Sequence, residues 1–205
     1  MLTEDGRLNK LYIKDYSKGG IEMIDGKLIR HCSPTLAGMK TGSLFNCSVD
    51  SKIDLINTVD KWNEELMHKG ISFLVLRMQK DAALIYVFRR SRLEADLKKD
   101  GVFKFLCSYG YKDDSADSAI EHLKSRIGIS GDFPHEIGLF LGYPLGDVKG
   151  FIENAGKNSK CTGCWKVYCD ECEALKLFRK YKKCTDVYCE MFKKGVSVMR
   201  LTVAA

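Results

Sequence analysis

Two apolar runs constrain this chain more than any other feature. Residues 71–77 contain the longest mostly apolar stretch, Ile71-Ser72-Phe73-Leu74-Val75-Leu76, and residues 82–89 form a second run. Gln79-Lys80-Asp81 lies between them. Both runs are strand-length, rich in β-branched and aromatic residues, and lack the polar alternation of a half-exposed strand. They therefore predict a β-hairpin buried on both faces. Such a hairpin needs helices to cover it.

The flanking sequence supplies those helices. Over residues 52–69, Leu55, Val59, Trp62 and Leu66 recur at helical spacing, with Ser51 as a cap and Gly70 as a stop. Ser91-Arg92-Leu93-Glu94 reads as a capping box opening a helix to about residue 99, followed by short helices over 102–109 and 116–127. Residues 136–141 read as a strand, Pro144 as the first turn of a helix bearing Val148, Phe151 and Ile152, and residues 165–168 as a strand. A long helix is expected over 171–194, ending at Gly195, and a last strand over 196–203. Near the start, Leu11-Tyr12-Ile13 and Lys27-Leu28-Ile29 read as short strands. The expected fold class is α/β, with α+β as the alternative: one domain with a mixed sheet of about five strands covered by helices. Residues 1–27 form an extension or short strands, and 28–205 the domain.

Composition narrows the function classes. Only 3 of 205 residues are Pro and 10% are aromatic, which excludes a disordered or low-complexity chain. Nine cysteines is an odd number for a disulfide framework, and the first residues lack a secretory apolar segment. The expected setting is a reducing cytoplasm with free thiols and no membrane span. Lys plus Arg is 33 against 27 Asp plus Glu, giving +6. The two signs are interspersed, so a nucleic-acid partner is not indicated.

Two cysteine-bearing segments carry the chemistry. The first is His31-Cys32-Ser33-Pro34-Thr35-Leu36-Ala37-Gly38. With Ser33 as a cap and Pro34 at the first helical position, Cys32 would precede a helix N-terminus, where amide dipoles stabilise a thiolate. A nucleophilic cysteine also needs a base, and His135 is the expected partner. His31, Thr35, Lys40, Glu136 and Trp165 would then line a shared pocket. The competing reading makes Cys32 a small apolar core residue and His135 a strand end.

The second segment contains Cys161, Cys164, Cys169 and Cys172, two C-x-x-C pairs four residues apart. Four thiolates can hold iron, zinc or an iron–sulfur cluster. The pairs lie closer than the knuckles of a zinc ribbon, while Cys164, Cys169 and Cys172 match part of a plant-type ferredoxin spacing, with Cys189 as a possible fourth ligand. Redox-active or incidental thiols are the other readings. The basic residues of the last long helix, Lys176, Arg179, Lys180, Lys182, Lys183, Lys193 and Lys194, read as a solvated face or a surface for an anionic partner. No P-loop and no G-x-G-x-x-G follows a strand.

Cys32 and His135 resemble, in chain order, the papain-like cysteine hydrolases, whose segments read Cys-Gly-Pro-Thr and His-Ala-Val-x-x-x-Gly-Tyr. The His-to-Gly-Tyr interval is one residue longer here. A broader resemblance rests on residues 31–40, on 135–144 continuing through Asp147-Val148-Lys149-Gly150-Phe151, on Trp165-Lys166-Val167-Tyr168, and on Leu201-Thr202-Val203-Ala204. These are similar to the domain-of-unknown-function family 3793 of anaerobic bacteria. Genes of that family often neighbour flavodoxin or ferrous-iron transport genes. The resemblance thus implies iron or redox physiology, with flavodoxin or another redox protein as partner. It carries over Cys32, His135 and Trp165, whereas the double C-x-x-C departs from the family pattern. Three readings result: a metal- or redox-handling thiol protein, a Cys32–His135 hydrolase or acyltransferase, and a non-enzymatic binding or regulatory module.

Overall fold

The hairpin forms as the two apolar runs require, and it carries a third strand that the sequence pattern does not announce. The computed structural model describes residues 24–48, 51–129 and 133–204. Strands β1 (Gly42–Ser48), β2 (Ile71–Met78) and β3 (Ala82–Arg89) make an antiparallel sheet in the order β1-β3-β2. The Gln79 amide closes the β2–β3 turn on the Ala82 carbonyl at 2.8 Å. The pairing of β2 with β3 shifts between Val75 and Arg77, a bulge.

Central strand β3 explains the unbroken apolar run. Ala83, Ile85 and Val87 face one core, while Leu84, Tyr86 and Phe88 face another. The first core is closed by α1 (Ile24–Leu36) and α2 (Lys52–Leu66), through Leu28, Cys32, Val59 and Trp62. The second is closed by α3 (Arg90–Leu97), α4 (Val102–Cys107), α5 (Ala116–Ile129), α6 (Ile137–Phe140) and α7 (Leu145–Glu153). With cover on both sides, successive residues of β3 bury apolar surface on alternate faces. Tyr86 Oη donates to the Phe140 carbonyl at 2.6 Å and ties α6 to the sheet.

Beyond α7, β4 (Cys161–Thr162) and β5 (Lys166–Val167) form a small antiparallel hairpin. Helix α8 (Glu171–Lys193) follows, started by the Asp170 carboxylate, which accepts from the Glu173 amide at 3.0 Å. It packs along α1, and a third apolar cluster gathers Trp165, Val167, Ala174, Phe178 and Tyr181. The chain ends with α9 (Val198–Leu201), and the Val203 amide donates to the Leu36 carbonyl of α1. All elements share one compact domain.

The structure corrects several expectations. The sheet has three strands rather than about five, all antiparallel, with the short β4–β5 hairpin separate. Lys27-Leu28-Ile29 lies within α1, because Leu28, Ile29, Cys32 and Leu36 form one buried helical face. Residues 136–141 form a turn and α6: six buried residues in a row suit a sealed helix as well as a strand. Residues 196–203 hold α9, whose Ser197 hydroxyl accepts from the Arg200 amide. The capping box also fails, since α3 starts after Arg89 and places Ser91 and Glu94 inside the helix, where Glu94 pairs with Arg90 at 3.6 Å. The expected strand at residues 11–13 lies outside the described residues. Among the described residues, no helix is long and apolar enough to cross a membrane.

Candidate functional site

Cys32 sits inside α1, two turns beyond its start, instead of before a helix N-terminus. Helix formation runs through Ser33, whose hydroxyl bonds back to the Ile29 carbonyl, and through Pro34. Cys32 is 0% exposed among Leu28, Ile29, Leu36 and Phe45. Burial pushes its thiol well above the usual range, with Lys40 opposing the shift. Such a thiol is protonated and unreachable.

Its expected base lies elsewhere. His135 is exposed in the turn before α6, with its ring edge-on to Phe151 of α7 at 4.9 Å. Helices α6 and α7 cover the sheet face opposite the Cys32 core. Cys32 and His135 are therefore on opposite sides of the sheet, and the expected catalytic pair is not assembled. The expected shared pocket is divided in the same way. Glu136, 1% exposed, accepts from Arg126 Nε at 2.5 Å and from Tyr111 Oη at 3.4 Å, within the α5–α6 layer. His31 stacks parallel on Phe45 at 6.1 Å. Its pKa is lowered to about 4 by burial first, then by Arg30 and Lys27. Thr35 exchanges a hydroxyl hydrogen bond with Ser43 at 2.9 Å.

The two remaining pocket residues, Lys40 and Trp165, share one neighbour, Tyr143. Helix α1 ends in a Schellman turn: Met39 N–H bonds Pro34 O, Gly38 N–H bonds Thr35 O, and Gly38 takes φ +71°. The turn aims Lys40 across Tyr143, its Nζ 5.1 Å from the ring centroid. Tyr143 stacks on Trp165 at 4.8 Å, and Trp165 meets Phe178 edge-on at 4.6 Å. Tyr143 Oη donates to the Cys164 carbonyl at 3.2 Å. Cys164 also packs against this aromatic cluster, and its thiol lies within electrostatic range of the Tyr143 hydroxyl.

Among the described residues no carboxylate pairs with Lys40. Its charge interacts instead with the thiols of Cys164 and Cys32, and burial lowers its pKa. Burial raises the Cys164 thiol, with Lys40 the largest opposing influence. Tyr181, whose hydroxyl donates to Met39 O at 3.4 Å, is pushed up to about 12 by burial and by Cys164. Lys40 and Cys164 are each partly exposed, unlike Cys32.

Asp147, 3% exposed, holds this frame together. One carboxylate oxygen accepts from Trp165 Nε1 at 2.7 Å, and the other from the Tyr168 and Cys169 amides at 2.8 Å each. Residues 143–147 lead into the N-terminus of α7, where free amides suit an anion. The chain supplies that anion itself, and Asp147 spends it on the neighbouring hairpin. The spacing of Gly146, Asp147 and Gly150 was the available signal, since Gly150 lies flat against the Tyr168 ring.

The four expected metal ligands are not brought together. Cys161 pairs with Val167 across the hairpin, and burial with nearby Glu171 raises its thiol. Cys164 looks towards Lys40, exposed Cys169 is hydrogen-bonded to Asp147, and Cys172 is exposed on the first turn of α8. Among the described residues, no three His, Cys, Asp or Glu side chains converge as a metal site, and the nine cysteines are free thiols. Regular structure at β4–β5 and α8 separates the sulfurs, so iron, zinc or a cluster finds no fit there.

No curated protein and no solved structure matches the chain significantly. The family model described as a protein of unknown function, DUF3793, matches residues 28–202, which takes in α1 from Leu28, both sheets and all but the end of the C-terminal segment. The chain belongs to the DUF3793 family.

Proposed function

We propose that this protein performs nucleophilic thiol chemistry, with Cys164 as the reacting group and Lys40 as the base that takes its proton. The observation that carries the reading is the placement of Lys40 and Cys164 around Tyr143, with no carboxylate on Lys40 among the described residues. Burial moves the amine down and the thiol up, which brings their proton affinities towards each other. A proton then passes between them at little cost as the sulfur attacks an electrophile. The proposal keeps a cysteine-centred function and moves it from Cys32 and His135 to a reachable pair.

Alkylation by iodoacetamide, mapped cysteine by cysteine with mass spectrometry, tests it. The exposed thiols of Cys107, Cys169 and Cys172 serve as internal standards. The Lys40→Met variant should slow Cys164 by roughly tenfold or more, a modest general-base effect, and leave the three standards unchanged. A Cys164 rate indifferent to Lys40 would overturn the proposal.

A further inference from the structure

We infer that Lys40 is itself a nucleophile and that the site takes small aldehydes, which condense with its amine to an imine. The inference rests on the thiol–amine reading above and names its substrate class. Three features of the fold lead to it. Lys40 is partly buried and lacks a carboxylate partner among the described residues, so no ion pair holds its nitrogen as an ammonium and burial favours the free amine. Its Nζ stands over the Tyr143 ring, which continues through its stack with Trp165 as an aromatic wall beside the amine. A second nucleophile, Cys164, packs against the same aromatic cluster, within electrostatic range of both Tyr143 and Lys40. An amine and a thiol around one aromatic wall suit a carbonyl carbon, to which both add and from which only the amine expels water.

The step balances without an added oxidant or reductant. The Lys40 nitrogen lone pair forms a bond to the carbonyl carbon, and the carbonyl π pair moves to oxygen. That oxygen takes up protons and leaves as water, and the nitrogen gives up both its hydrogens as the C=N bond forms. The thiol adds reversibly to the same class of carbonyl and returns it, which holds the aldehyde beside the amine.

Pyridoxal with sodium cyanoborohydride at neutral pH is the probe, since the hydride fixes any imine as a stable secondary amine. Peptide mapping should find Lys40 labelled roughly tenfold faster than exposed Lys61 and Lys176, as expected for a desolvated amine. The Lys40→Arg variant should lose that label alone, and Cys164→Ser should keep Lys40 reactive while reducing its rate at low aldehyde concentration. Equal labelling of Lys40 and Lys61 overturns the inference. The iodoacetamide rates of Cys164 decide the thiol reading separately, so failure of one is told from failure of the other.

Discussion

Trp165 donates its indole N–H to the buried Asp147 carboxylate at 2.7 Å, and the same carboxylate receives two backbone amides from the strand end that follows Trp165. Helix α7 is thereby fastened to the β4–β5 hairpin. The Asp147→Asn variant keeps the shape but turns one acceptor into a donor facing an N–H group. It should lose about 2–4 kcal/mol in urea unfolding, the usual cost of leaving buried charge-assisted bonds unmade. A loss below about 1 kcal/mol would mean that Asp147 is not the fastening.

Arg89 is the counterpart on the sheet side. It is 1% exposed, and its guanidinium donates to the carbonyls of Thr35 and Leu36 at 2.7 Å, of Val203 at 2.7 Å and of Lys69 at 3.2 Å. The negative end of the α1 dipole supplies part of the compensation that a carboxylate would give. Arg89→Met would orphan several buried carbonyls and should cost about 3–5 kcal/mol. Hydrogen exchange offers the local readout: the Val203 amide, bonded to Leu36 O, should exchange faster in Arg89→Lys, which has too few fixed donors to reach all four acceptors.

Much of the fold was legible because its signals are local. The helical face of Leu55, Val59, Trp62 and Leu66, the Ser51 cap and the Gly70 stop all appear in α2 and the turn after it. The β2–β3 hairpin is likewise written in adjacent runs. Strand β1 was missed because Gly42, Ser43, Asn46 and Ser48 dilute its apolar pattern, and only β3 gives it a partner. For the site, the sequence pattern groups Lys40 and Trp165 with Cys32, whereas the fold sets both against Tyr143, in the cluster that also holds Cys164. Cys32 and Cys164 look alike in sequence. Their difference, sealed against partly exposed, arises from tertiary packing: Cys32 lies in the core that α1 forms with the sheet, and Cys164 at the edge of the aromatic cluster, which no local pattern encodes.

Two glycines carry the close approach around Trp165. A Cβ at Gly150 would lie 2.5 Å from Cγ of Tyr168, and one at Gly163 would enter the Phe178 ring. Neither glycine has a positive φ, so the requirement is space and not backbone conformation. Gly150→Ala and Gly163→Ala should each cost roughly 1–3 kcal/mol by overpacking. Near-ultraviolet circular dichroism of Trp165 should change with them. Thermal melts within 1 °C of the parent for both variants would contradict the packing.

His31 makes stability depend on acidity. Its pKa is about 4 in the fold, lowered by burial against Phe45 and by the cations Arg30 and Lys27, while an unfolded histidine titrates near 6.5. Between those two values the unfolded chain binds a proton that the folded chain does not. Unfolding free energy therefore falls as pH drops from about 6.5 towards 4, and the His31 contribution has gone once both states are protonated. The gap corresponds to roughly 3 kcal/mol at most, reduced by solvent reaching a partly exposed ring. His31→Phe keeps the ring stack and removes the titration. Urea midpoints measured from pH 7 to pH 4 should decline less steeply in His31→Phe than in the parent, whereas parallel declines would show that His31 titrates freely in the folded protein.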